Sequence, residues 1–199
     1  MADERSAPDA HEVVSFDSER LILVDASDRE VGFASKSDAH AGNGMLHRAF
    51  SLFVFNSAGE LLLQQRAPSK PLWPGYWANS CCSHPRAGED MATATQRRLR
   101  EELGFACPLE YIYKFQYHAE YDATGSESEL CWVYVGRSDA PVQVNATEIS
   151  SWRHVHPDVL DREIADSPQH FTPWLKMEWQ RLRGDFADRM PGTVARLIG

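Results

Sequence analysis

The chain has 199 residues, 43% of them hydrophobic and 25% charged, with a formal net charge of −9. That length suits one compact domain, and the acidic balance argues against a general nucleic-acid surface. No apolar run approaches the ~20 residues of a membrane-spanning helix.

In chain order, residues 1–11 are polar, without the apolar centre of a secretory signal, and are expected to form a tail. Residues 21–25 read as a short strand with a turn to residue 28, and residues 40–45, with Gly42 and Gly44, read as a loop. Residues 47–56 are aromatic and β-branched enough for a buried strand. Ser57, Ala58 and Gly59 turn it into a second strand over 60–66, a hairpin.

Residues 68–74 form a loop and 76–82 are extended. The clearest helix spans 90–103, with Met91, Ala94, Leu99 and Leu103 at roughly helical spacing and Gly104 as its stop. Residues 111–121 and 129–137 read as strands joined near Gly125, and 157–166 and 173–186 as helices. The expectation is an α/β (α+β) domain, a mixed sheet flanked by helices. It would span residues 19–187, between tails over 1–18 and 188–199.

The segment 79–104 carries most of the chemistry. Its end, RRLREELG over residues 97–104, resembles the second half of the Nudix box, a loop and helix whose glutamates hold divalent metal against a diphosphate. A helix puts Arg98 and Glu102 one turn apart on one face. A carboxylate there can hold a hard cation and an arginine a phosphate oxygen. The box is degenerate: Ser83 stands where the pattern has glycine, and Arg98 where it has glutamate. The missing carboxylate puts ordinary diphosphate hydrolysis in doubt.

Three histidines, His40, His47 and His84, join Glu127 and Glu129, which share one face at a strand start. Imidazole suits Zn, Mn or Fe, and carboxylates suit Mg and Mn. The cysteines are Cys81, Cys82, Cys107 and Cys131. An adjacent pair makes a poor disulfide framework, so reduced thiols in the cytoplasm are expected.

The stretch NSCCSHP, the preceding WPGYW, the spacing of His40 and His47, the ESE triplet at 127–129 and the late TPW together resemble type I isopentenyl-diphosphate isomerases. The resemblance runs in order from about residue 21 to residue 179. It implies a Nudix-like fold and a 1,3-proton shift interconverting isopentenyl and dimethylallyl diphosphate. It also implies Cys82 and Glu129 as catalytic residues, with Tyr117 near the glutamate. His40, His47, His84, Glu127 and Glu129 would ligate Zn, Mn or Mg. Glu102 would hold a separate Mg that bridges to the diphosphate. Lys36, Arg66, Lys70 and Arg98 would surround that diphosphate with Ser83, and Trp174 would cover the isoprenoid tail. The expected partner is a small prenyl diphosphate, with neither nucleic acid nor membrane, bound by a cytoplasmic monomer. The rival reading is a Nudix hydrolase of a nucleoside or prenyl diphosphate.

Overall fold

The computed structural model describes residues 11–191. The expected tails therefore fall largely outside the described residues. Among those residues, nine strands form one mixed sheet: β1 (Arg20–Val24), β2 (Glu30–Ser35), β3 (His47–Phe55), β4 (Leu61–Arg66), β5 (Trp77–Ala78), β6 (Cys81–Ser83), β7 (Leu109–Asp122), β8 (Gly125–Arg137) and β9 (Ile149–Val155). Four α-helices accompany it: α1 (Lys36–His40), α2 (Met91–Leu103), α3 (Pro157–Asp166) and α4 (Pro173–Gly184).

β3 is the central strand. It pairs parallel with β8 from His47↔Glu129 to Phe55↔Arg137, and antiparallel with β6 over Phe50–Leu52. Every residue of β3 except Arg48 is buried, because both faces of the sheet are covered. On one face Phe50, Leu52, Val54 and Leu62 pack against Ala94, Leu99 and Leu103 of α2. On the other, Ala49, Phe53 and Val133 meet Trp174, Leu175, Trp179 and Leu182 of α4. Each fully buried Phe or Leu contributes about 1.5–3 kcal/mol.

The α2 boundaries follow their sequence signals. Asp90 caps the N-terminus by accepting from the Thr93 amide at 2.7 Å, and Gly104 ends the helix at φ 75°.

Several elements differ from the sequence reading. The loop expected from residue 40 begins inside α1, and strands β2 and β9 were not foreseen. The extended stretch over 76–82 is broken at Asn79 and Ser80, where the chain steps from pairing with β4 to pairing with β3. The Asn79 amide donates to Leu52 and Cys81 carbonyls, and the Ser80 hydroxyl to Leu62, which anchors the buried step and leaves Asn79 Oδ1 without a partner. Among the described residues, no helix is long and apolar enough to cross a membrane.

Candidate active site

Strand alternation sends the adjacent cysteines to opposite faces. Cys81 is fully buried in the α2 cluster. Cys82 packs at the edge of the α4 cluster and lines a cavity of about 500 Å³. Burial pushes the Cys82 thiol up to about 12; Arg66 opposes this, while Glu102 and Glu129 add to it.

Glu129 on β8 lies in register with His47 of β3 on one side and Tyr117 of β7 on the other. The Tyr117 hydroxyl donates to Glu129 Oε2 at 2.7 Å. Glu129 Oε1 lies 3.0 Å from His84 Nε2 and 3.7 Å from His47 Nε2. Burial works against the Glu129 charge, but His47 and the Tyr117 hydroxyl outweigh it and hold the carboxyl below its ordinary range. Burial, with Glu129 and Glu127 adding, lifts the Tyr117 hydroxyl well above the phenol range, so it remains a donor.

The turn between β7 and β8 brings His40 in. Gly125 bridges to Ala41, and a Cβ on Gly125 would stand 2.7 Å from the His40 carbonyl oxygen. Only glycine permits that approach, which seats the end of α1 against the start of β8. His40 Nε2 then lies 2.9 Å from Glu127 Oε2. Burial disfavours the His40 charge, yet the Glu127 carboxylate overrides it and lifts the imidazole to about 8. His84 goes the other way, pushed well down by burial and by the charges of His47 and His40.

The three imidazole rings stand 4.8–5.1 Å apart, centroid to centroid. Nδ1 of His40 and of His47 each donates to a backbone carbonyl at 2.7 Å, Lys36 and Met45 respectively. That aims each Nε2 at the centre. His47 Nε2 is buried with no hydrogen-bond partner. One donor atom from each of His40, His47, His84, Glu127 and Glu129 lies within 4.8 Å of all the others. This donor set fits a divalent cation, with nitrogen favouring Zn or Mn and oxygen accommodating Mg or Mn.

The other end of the cavity is cationic. Arg98 Nε donates to Glu102 Oε1 at 2.8 Å, and both side chains are buried. Burial opposes the Arg98 charge, but Glu102 and Glu148 hold its guanidinium well above the ordinary range. Lys70 donates to Glu148, and Lys36 donates to the Ser15 hydroxyl. Burial pushes the Lys36 amine down, and the neighbouring Lys70 and Arg98 charges push the same way. Three cations set against the two carboxylates of Glu102 and Glu148 leave a net positive end that suits an anion. Arg66 donates to the Leu72 carbonyl at 2.7 Å and lies 5.2 Å over the Trp174 ring, beside the apolar wall.

All the residues selected from the sequence line this cavity except His47, which sits behind it against His40 and His84. Sequence reasoning missed Gln64, Leu72 and Glu148, and it missed Val13, Ser15 and Asp17 within the expected tail. The Val14 carbonyl accepts from Arg98 Nη1 at 3.1 Å. A lone glutamate before a polar strand carries no signal that it will face an arginine fifty positions earlier.

The family pattern described as NUDIX domain matches residues 45–175. Among curated proteins, the chain is 43% identical over 174 residues to "Isopentenyl-diphosphate Delta-isomerase 1" of Photorhabdus laumondii, covering 86% of this chain and 99% of the relative. It is 47% identical over 157 residues to "Isopentenyl-diphosphate Delta-isomerase" of Burkholderia multivorans, covering 79% and 89%. Among solved structures, a Deinococcus radiodurans protein superposes with a TM-score of 0.68 at 29% identity, covering 82% of this chain and 98% of that one. A MutT protein from Methanosarcina mazei, at 15% identity and a TM-score of 0.57 over 71% and 95%, shares the fold.

Proposed function

The chain belongs to the NUDIX domain family and, within it, to the isopentenyl-diphosphate Delta-isomerases, and on that premise we propose that it interconverts isopentenyl and dimethylallyl diphosphate with Cys82 and Glu129 as its proton-transfer pair. The observation that carries this reading is that both groups line one cavity together with Lys36, Lys70 and Arg98.

Lys36, Arg66, Lys70, Arg98 and Ser83 bind the diphosphate, and Glu102 would hold a Mg ion that supplies further charge for it. The short isoprenoid tail then lies toward Cys82, Glu129 and Trp174. One of the two groups gives a proton to the alkene and the other removes one from the allylic position. Because the reaction is reversible, the group that gives in one direction takes in the other. Tyr117 orients Glu129 by its hydrogen bond. The Trp174 face stabilises the tertiary cation, and the buried walls keep water from trapping it. An ion held by the three histidines and two glutamates, Zn, Mn or Mg, would supply positive charge that keeps Glu129 acidic and fixed.

The four described cysteines are free, which fits a reducing compartment. We place the enzyme in the cytoplasm as a monomer acting on a small prenyl diphosphate.

The test is turnover of isopentenyl diphosphate with Mg in deuterated water. The expected product is dimethylallyl diphosphate with solvent deuterium in its new methyl group. Inorganic phosphate released in step with substrate loss would favour a hydrolase instead, and an unlabelled isomer would overturn the proton chemistry.

A further inference from the structure

Among the described residues, Glu178 on α4 is the one acid buried in the helix–sheet layer behind Cys82, and the mechanism above does not use it. Its side chain is 0% exposed. Oε1 accepts from the Cys131 thiol at 3.3 Å, and Oε2 has no hydrogen-bond partner. The same thiol lies 3.5 Å from the Ser51 hydroxyl. Ser51 is the cross-strand partner of Cys82, and Cys131 follows Glu129 by two positions on the same face of β8. The Tyr113 hydroxyl fixes the helix at this point by donating to the Glu178 carbonyl at 3.2 Å. Trp174, on the cavity wall, lies one helical turn before it.

We propose that Glu178 is a positioning residue for the isomerase reaction: wedged between α4 and the sheet, its carboxyl fixes Ser51 and Cys131, and through them the placement of Cys82 and Glu129. Stability alone does not explain an acid here. A half-satisfied buried carboxyl costs folding free energy, and an apolar side chain of similar volume in such a layer is often neutral or stabilising. A local rule broken one layer behind a reactive pair is the pattern of a functional compromise. Burial lifts the carboxyl to about 8, with the Ser51 and Cys131 contacts opposing, so at pH 7 it is mostly a neutral acid. A glutamine can therefore take its place.

The inference rests on the isomerase reading, and the test separates the two. In the full-length enzyme, Glu178→Gln should keep kcat within about threefold of wild type. Glu178→Leu should lower kcat by roughly 30-fold, with KM for isopentenyl diphosphate and copurified metal unchanged and Tm equal or higher. Ser51→Ala, which keeps the acid and removes one of its contacts, should lower kcat in the same way. Combined with Glu178→Leu it should add little, because both act through one contact. That variant carries the test even if Glu178→Leu does not fold. The rate at which iodoacetamide labels Cys82, read by mass spectrometry without substrate, should change in Glu178→Leu and Ser51→Ala but not in Glu178→Gln. Wild-type kcat and labelling in both Glu178→Leu and Ser51→Ala would overturn the proposal. So would a kcat loss accompanied by loss of metal or Tm, or a Glu178→Gln variant as impaired as Glu178→Leu. Absence of isomerisation by the wild type would overturn the isomerase reading alone, and the labelling would still decide whether Glu178 positions Cys82.

Discussion

Tyr117 and Glu129 occupy paired positions on β7 and β8 and share one hydrogen bond, hydroxyl to Oε2 at 2.7 Å. The other oxygen of the same carboxylate faces His84 and His47. One side chain thus has a phenol side and an imidazole side, so the two can be separated by mutation. Tyr117→Phe removes a bond to a charged group, worth about 1.5–3 kcal/mol, and should lower kcat roughly 10- to 100-fold. Copurified metal should stay at the wild-type level. Turnover and metal analysis on the same preparation check this, and an unchanged kcat would remove Tyr117 from the machinery.

The two cysteines should separate cleanly. Cys82→Ala removes a proton-transfer group and should cost on the order of 10²–10⁴ in kcat. Cys81, fully buried on the opposite face, should lose stability instead: Cys81→Ala leaves a small void, costs about 1 kcal/mol in a denaturant titration and keeps most turnover. Near-normal turnover by Cys82→Ala would end its assignment.

Metal sites of two kinds are expected. His84→Ala deletes one of the five converging donors and should lose most of the copurified ion. Glu102→Gln should keep that ion and instead raise the Mg concentration needed for half-maximal turnover, because phosphate oxygens supply most ligands of such a site. Full retention of copurified metal by His84→Ala would refute the histidine site.

The contribution of Glu178 to stability should fall as pH rises from about 4.5 to about 8. Glu178 has an ordinary value of 4.5 and is lifted by burial to about 8 in the fold. Between those values the native state binds more protons than the unfolded state, so the slope of unfolding free energy with pH is negative. The titratable groups facing Glu178 are Cys131 and Glu129 on β8, Cys82 on β6 and Tyr113 on β7. In metal-free protein His40, lifted to about 8 by Glu127 against the burial effect, contributes in the same direction, and His84, pushed well down by burial, in the opposite one, so the comparison with Glu178→Gln isolates the Glu178 part. Thermal melts of wild type and Glu178→Gln from pH 5 to pH 8.5 should therefore differ most at the alkaline end, with the variant declining less. Parallel curves would assign the decline elsewhere.

Legibility in the sequence followed burial. β3, α2 and α4 could be read because each buries a continuous face or a helical stripe. β2 escaped notice because it is an edge strand whose Val31 and Phe33 are exposed and whose centre is Gly32. β9, with Ser150, Ser151 and Arg153 among its residues, lacks an apolar alternation. The five residues of α1 are too few for a period, so His40 seemed to lie in a loop. The candidate site was legible through the family resemblance carried by NSCCSHP, the ESE triplet and the histidines, since residue types and spacing alone do not bring the five ligands together. Glu148 and Glu178 were not, because their roles arise from long-range packing against Arg98 and Cys131.

The parallel register of β3 on β8 also has a kinetic consequence. The converging donors come from α1, β3, the end of β6 and β8, and they meet only once His47 lies beside Glu129. Closing that large loop is the slow, entropically costly part of folding. An ion that needs all five donors has nowhere to bind before closure, so it acts after the folding barrier. Chelation should accelerate unfolding and leave the refolding rate unchanged, which makes the ion a latch on a sheet that closes without it.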